Sequence, residues 1–425
     1  MKRIFFFFAL LSVMAAPAQD IYLQCGMLID TRDGATLKER TIVVSGETIQ
    51  SILNGYVDGG EAHLTIDLRD KTVLPGFIDM HVHIESESNP RAYLKRFTQN
   101  EADVAFESVG YAEKTLMAGF TTVRDLGGSG VNIALRDAIN QGLIKGPRIF
   151  TAGKSLATTG GHADPTNGRK NELMGDPGPK EGVVNSIDDG RKAVRQRYKN
   201  GADLIKITAT GGVLSVAKNG QNPQFTVQEI RAITDMAKDY GFHVAAHAHG
   251  DEGMQRAILG GVTTIEHGTL MSEATMELMK ANGTFLVPTI TAGEEVMANA
   301  RIEGYFPPVI AQKALEIGPI SKQNFYKAYR KGVSIAFGTD AGVFKHGENA
   351  REFVYMAEAG MPVMEILKSA TVTNAGILGM ADQLGRLQPG FLADIVAVNG
   401  NPLEEVATLK NVVFVMKGGQ VFKAQ

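Results

Sequence analysis

Short apolar runs recur along the chain, and longer segments with helically spaced apolar residues lie between many of them. Near the start, Ile42-Val43-Val44 and Ile49-Gln50-Ser51-Ile52 are set apart by Gly46, with a further turn at Gly34. Runs of this length bounded by turn residues predict the strands of a small sheet over residues 21–75. The pattern returns near the other end in Asp394-Ile395-Val396-Ala397-Val398 and Val412-Val413-Phe414-Val415-Met416, followed by Gly418-Gly419. The two ends are expected to pair into one β-sandwich domain, residues 19–75 with 386–425.

The middle of the chain reads differently. Thr72-Val73-Leu74 leading into Phe77-Ile78 predicts a first strand, followed by Thr121-Thr122-Val123, Arg148-Ile149-Phe150-Thr151 and Leu204-Ile205-Lys206-Ile207. His243-Val244-Ala245-Ala246, Thr263-Thr264-Ile265, Phe285-Leu286-Val287 and Ser334-Ile335-Ala336-Phe337 complete eight. Strand and helix alternating eight times predicts an α/β fold, a (β/α)8 TIM-like barrel over residues 76–385. A chain of 425 residues is too long for one small core. It suits a barrel of roughly 250–300 residues with an accessory domain.

Charge and composition narrow the function classes. The formal net charge of −3 leaves no basic surface suited to nucleic acid or anionic membrane. Residues 1–18 stand apart: Lys2 and Arg3 precede an apolar run over 4–14, then Ala16-Pro17-Ala18 before Gln19. That order predicts a cleaved signal peptide, hence a periplasmic or secreted enzyme with no membrane attachment after cleavage. The run is shorter than the ~20 residues that span a bilayer. Cys25 is the only cysteine, so neither an intramolecular disulfide nor a cysteine metal cluster can form.

Histidines fall where the predicted strands end. His81 and His83 close Phe77-Ile78-Asp79-Met80-His81-Val82-His83, and alternate residues of an extended segment point the same way, so both imidazoles can reach one ion. Lys206, His247, His267 and Asp340 each terminate a later strand, where a barrel places its catalytic groups. Taken singly they have structural readings: His267 as a satisfied core histidine, Asp340 as a helix cap, Lys206 as a snorkelling lysine.

Five segments together resemble the amidohydrolase superfamily across nearly the whole mature chain: Pro75-Gly76-Phe77-Ile78-Asp79-Met80-His81-Val82-His83, Asp203-Leu204-Ile205-Lys206-Ile207, Ala246-His247-Ala248-His249-Gly250, Glu266-His267-Gly268 and Gly338-Thr339-Asp340-Ala341. Gly390-Phe391-Leu392-Ala393-Asp394-Ile395-Val396 resembles the family's return to its sandwich domain. The likeness is to Xaa-Pro dipeptidase-like and carboxypeptidase-like members, a group that includes ochratoxin-degrading amidohydrolases.

The resemblance implies two divalent metal ions, with zinc suiting the ligands best. His81, His83 and Asp340 would bind the buried ion, His247 and His267 the more exposed one, and Lys206 would bridge both as a carbamate. A bridging hydroxide would attack the scissile carbonyl. Asp340 would act as general base and then acid, and His162, in Thr158-Thr159-Gly160-Gly161-His162, would stabilise the oxyanion. The glycines around His162 also read as a plain turn.

His249, where some relatives carry a carboxylate-binding tyrosine, is expected to contact substrate or to compete with His247 as ligand. His346 and Asn349 are expected to line the substrate pocket, or to lie in a loop that only leads into a helix.

The function so implied is metal-dependent hydrolysis of an amide bond next to a free carboxylate, in a dipeptide, an N-acyl amino acid or an ochratoxin-like amide. A mononuclear cyclic-amide hydrolase or deaminase of the same superfamily is the alternative. Such relatives place an acid soon after the fifth-strand histidine, where this chain has Ala248-His249-Gly250, and lack the strand-end lysine. A non-catalytic metal-binding protein would be expected to have lost site residues, and none is missing. The partner is then a small-molecule substrate, not nucleic acid, and a homo-oligomer is left open.

Overall fold

The computed structural model describes residues 19–216 and 219–425. The expected signal peptide, residues 1–18, lies outside the described residues. Among the described residues, no helix is long and apolar enough to cross a membrane.

The two chain ends meet in one sheet. Its strands are β1 (Ile21–Ile29), β2 (Thr36–Ser45), β3 (Thr48–Asn54) and β4 (Leu64–Pro75), and, from the far end, β12 (Ile395–Asn399), β13 (Val412–Lys417) and β14 (Gln420–Ala424). The order is β14-β13-β12-β4-β1-β2-β3. β1 runs parallel to β4 and the other pairs are antiparallel. Ile395 lies opposite Pro75 and Ala397 opposite Val73, which joins the two halves.

Hydrogen bonding is therefore continuous through seven strands. The reason is that β12 adds directly to the open edge of β4. Leu23, Cys25, Ile42, Leu68, Ile395 and Phe414, from both halves, share a single apolar cluster. Burial pushes the Cys25 thiol up to about 12, which leaves it an unreactive core group.

Gly76 separates this sheet from the middle of the chain. A Cβ there would lie 2.2 Å from the Thr121 hydroxyl, so only glycine permits the close approach. The predicted run from Thr72 through Ile78 is accordingly two strands. Residues up to Pro75 belong to the end sheet, and β5 (Phe77–Val82) begins the parallel set.

The parallel strands form two further sheets: β5 with β6 (Phe120–Asp125) and β7 (Arg148–Thr151), and β8 (Ile205–Thr208) with β9 (Val244–Ala248), β10 (Thr264–His267) and β11 (Phe285–Val287). Every residue of β5, β6, β8 and β9 is buried, as expected of strands covered on both faces. Helices lie between successive strands in sequence, several with side-chain caps. Ser186 accepts from the Asp189 amide, and Thr226 with Glu229 makes a capping box.

Backbone bonds tie the two parallel sheets together at both edges. Leu156, just beyond β7, bridges Ile207 of β8. The segment after β11 bridges Leu286 through Ile335 and β5 through Ala341, and the Met80 amide donates to the Phe337 carbonyl at 3.0 Å. This segment is the expected eighth strand. It makes no continuous ladder, because it touches each neighbour over only a few residues before leaving the extended conformation at Asp340, φ 63°.

Candidate active site

His81, near the end of β5, and His83, just beyond it, both have an outer nitrogen already committed. His81 Nδ1 lies 2.9 Å from Glu266 Oε2 and His83 Nδ1 lies 2.8 Å from the Gly127 carbonyl. An oxygen acceptor at Nδ1 fixes the proton there and leaves Nε2 as a lone-pair donor. Both Nε2 atoms point at one atom, Asp340 Oδ1, each at 3.4 Å. That oxygen is buried and accepts no hydrogen bond. Burial holds His81 well below the usual histidine range, with Lys206 adding to the effect, so His81 does not meet Asp340 as a charged imidazolium. Two imidazole nitrogens converging on a buried carboxylate oxygen that accepts no hydrogen bond make a cradle for a cation.

A second convergence adjoins the first. The ligand atoms of His247, His249 and His267 lie within 4.8 Å of one another, and so do those of His81, His267 and Asp340. Again the outer nitrogens are held: His247 Nε2 by the Gly211 carbonyl at 3.0 Å, His267 Nδ1 by Thr289 Oγ1 at 2.7 Å, and His249 Nδ1 by Thr269 Oγ1 at 2.9 Å. Burial keeps His247 and His267 well below the usual range and His249 at about 4. Neutral imidazoles are the form that ligates metal.

The backbone is strained at the same place. Among the described residues, four non-glycine residues have left-handed φ, and three of them are here: His267 at 69°, Asp340 at 63° and Thr289 at 50°. Such conformations persist where surrounding contacts over-determine them. The turn out of the strand swings His267 and Asp340 toward the cavity.

Lys206, on β8, is buried and lines the same cavity as the histidines and Asp340. Burial brings its ammonium down to about 8, against the opposing pull of Glu266 and Asp340. Asp340 moves the other way, up to about 6 by burial, with His83 and Lys206 opposing. A cation at its unpartnered oxygen would reverse that and hold it ionised.

His162 stacks on His247 with ring centroids 4.3 Å apart, and its buried Nδ1 has no hydrogen-bond partner. Its backbone amide donates to Gln224 Oε1 at 2.9 Å, and burial pushes the imidazole down to about 3. Gly212 packs flat against the ring, where a Cβ would come within 2.2 Å. All of these groups face a cavity of about 600 Å³, a size suited to a small organic molecule.

The structure thus brings together His81, His83, His162, Lys206, His247, His249, His267 and Asp340. It does not place His346 or Asn349 on the cavity wall, contrary to expectation. His346 is buried outside the cavity wall, with Nε2 on the Ser86 carbonyl at 2.8 Å and Nδ1 beside Thr115 Oγ1 at 3.4 Å. Asn349 is fully buried and donates to Asp79 Oδ2 at 2.8 Å. Both polar groups are spent within the protein.

The supporting shell was missed in the sequence. Asp79 accepts from the backbone amides of His81 and Thr339, each at 3.0 Å, and so ties the segments that carry His81 and Asp340 together. Glu266 accepts from Arg124 at 2.8 Å, and both are wholly buried beneath the histidines. Thr264 also donates to Glu266. The signal was present, since a charge inside a buried strand, as at Arg124 and Glu266, must find a partner.

A model of the amidohydrolase family matches residues 72–422. An ochratoxinase of Aspergillus niger is 30% identical over 421 residues, 94% of this chain and 86% of that relative. Among solved structures, a Xaa-Pro dipeptidase with methionine bound in its active site has a TM-score of 0.93 at 50% identity, covering 96% of this chain and 100% of that one. A prolidase complexed with N-methylphosphonate-L-proline has a TM-score of 0.88 at 35% identity, with the same coverage of 96% and 100%. The chain belongs to the amidohydrolase family, hydrolases of amide bonds, and within it is similar to the dipeptidase-like members.

Proposed function

We propose that this protein hydrolyses an amide bond next to a free carboxylate, in a dipeptide or N-acyl amino acid, at the mouth of a closed (β/α)8 barrel. The observation that carries the reading is the unpartnered, buried Asp340 Oδ1 facing two imidazole nitrogens, beside a second histidine trio that shares His267. His81, His83 and Asp340 would hold one divalent ion, His247 and His267 the other, and Lys206, once carboxylated, would bridge them. Cations bound there supply Lewis acidity, polarising the scissile carbonyl and acidifying a water molecule.

The chain's own residues do the rest. Asp340 takes the proton from the nucleophilic water and passes it to the leaving amine. His162 directs an imidazole N–H toward the carbonyl oxygen as negative charge develops there. A buried amine brought to about 8 is uncharged in a larger fraction of molecules near neutral pH than an ordinary lysine, and only an uncharged amine adds carbon dioxide. His249 offers its Nε2 to the substrate carboxylate or, as a member of the trio with His247 and His267, to a metal. The names of the relatives support this class: the methionine-bound structure is called a Xaa-Pro dipeptidase, and the fungal relative an ochratoxinase. Cleavage of residues 1–18 as a signal peptide would put the reaction in the periplasm or outside the cell.

Elemental analysis of active enzyme should give two ions per chain. A dipeptide or N-acyl amino acid should be cleaved far faster than its C-terminal amide. One ion in fully active protein would favour the mononuclear alternative, and equal kcat/KM for acid and amide would remove carboxylate recognition.

A further inference from the structure

The cavity has two unlike walls. On one side, charged side chains from the helices Ala92–Thr98 and Glu101–Met117 reach it, with Lys95 donating to both oxygens of Glu107 at 2.7 and 2.8 Å. The other side is built by the helices Ile290–Ala300 and Pro308–Arg330. The first begins one residue after Thr289, the partner of His267, so its opening turns rise beside the histidines. Ala292, Gly293, Val296, Ala314 and Ile317 face the cavity from these helices, with Phe306 between them, and none is charged. Ser321 adds a hydroxyl to this wall. Lys313, on the second helix, donates to the Gly212 and Ser215 carbonyls at 2.8 and 2.7 Å and does not line the cavity.

Gly293 is the informative position. Glycine is a poor helix former and sits here in the first turns of a helix. Packing does not require it: a Cβ would meet nothing nearer than Ser321 at 3.8 Å, an ordinary contact, and its φ is not in the left-handed region. Gly318 on the facing helix is the contrast, because a Cβ there would lie 2.2 Å from Met297. What the bare Gly293 preserves is open space in the cavity.

We propose that this wall is the subsite for an apolar substrate side chain of leucine or methionine size, and that Gly293 sets its depth. The inference rests on the amide-hydrolase reading of the same site. Transfer of such a side chain from water onto an uncharged wall is favourable, and transfer of a charged one is not.

The test uses zinc-loaded enzyme and two dipeptide series, one varied at the first residue and one at the second, over Ala, Leu, Met, Asp and Lys. In one series, kcat/KM for Leu and Met should exceed that for Asp and Lys by roughly 10- to 200-fold, the range one pocket contact provides. Gly293→Leu should cut kcat/KM for Leu and Met by about 10-fold or more and leave Ala within about 3-fold. Gly293→Ala, which helix propensity favours, should act the same way more weakly and serves if the leucine variant fails to fold. Equal losses on every substrate, or equal rates for Asp and Leu in both series, would overturn the subsite. If no dipeptide is cleaved, the hydrolase reading fails separately, and calorimetric binding of N-acetyl-methionine against N-acetyl-aspartate decides. Preference for the methionine ligand that Gly293→Leu abolishes supports the subsite, and indifference refutes it.

Discussion

The seven-stranded end sheet and the histidine-lined cavity treat buried polar atoms in opposite ways. In the sheet, the core is apolar, and the buried hydroxyls of Thr41 and Thr72 each donate to a carbonyl, those of Gly55 and Gly400. None of its strands carries a buried side-chain polar atom without a partner among the described residues. At the cavity, Asp340 Oδ1 and His162 Nδ1 are buried and unpartnered, and three residues hold left-handed backbone. A region under selection for stability alone satisfies its buried polar groups. One that leaves them open, and strains the backbone to do so, is organised around something it binds. The outer histidine nitrogens sharpen the contrast, since each is satisfied and only the inward-facing atoms are left.

Substitutions in the two regions should therefore separate activity from stability. The largest effect is expected at Lys206. Lys206→Ala should keep the fold, lose much of the bound metal and reduce kcat/KM by roughly 10²-fold or more, as expected when several kcal/mol of metal assistance is lost. Acetate or propionate should restore part of both metal content and rate by supplying bridging oxygens. A variant with full metal occupancy and near-normal turnover would show that Lys206 is only a buried lysine.

In the sheet, Ile395→Ala removes a wholly buried side chain from the cluster shared by both chain ends. It should cost about 2–5 kcal/mol of stability. Metal content and kcat per folded molecule, measured well below the melting temperature, should stay unchanged. A matching fall in kcat would mean that the sheet is coupled to the site and that the comparison does not hold.

Asn349→Ala probes the boundary. It breaks the hydrogen bond to Asp79 and should destabilise the protein by about 1–3 kcal/mol, with KM unaltered. A tenfold rise in KM at unchanged melting temperature would instead put Asn349 in contact with substrate.

The sequence by itself determined the alternation of strands and helices, the strand-forming character of both ends and the set of strand-end residues at the site. Side-chain periodicity and the position of a residue relative to its own strand are local properties, and His81 and His83 show them without reference to anything distant. Which residue partners which was decided only by the tertiary structure. Arg124 meets Glu266 across 142 positions, and Asp79 meets Asn349 across 270. For the same reason only the fold shows that β12 pairs with β4, and that His346 and Asn349, polar residues after the last parallel segment, turn into the protein rather than toward substrate. A polar side chain in a loop has no periodicity to reveal which way it faces. Its direction is set by the buried acceptor that packing brings within reach, here Asp79 for Asn349 and the Ser86 carbonyl for His346.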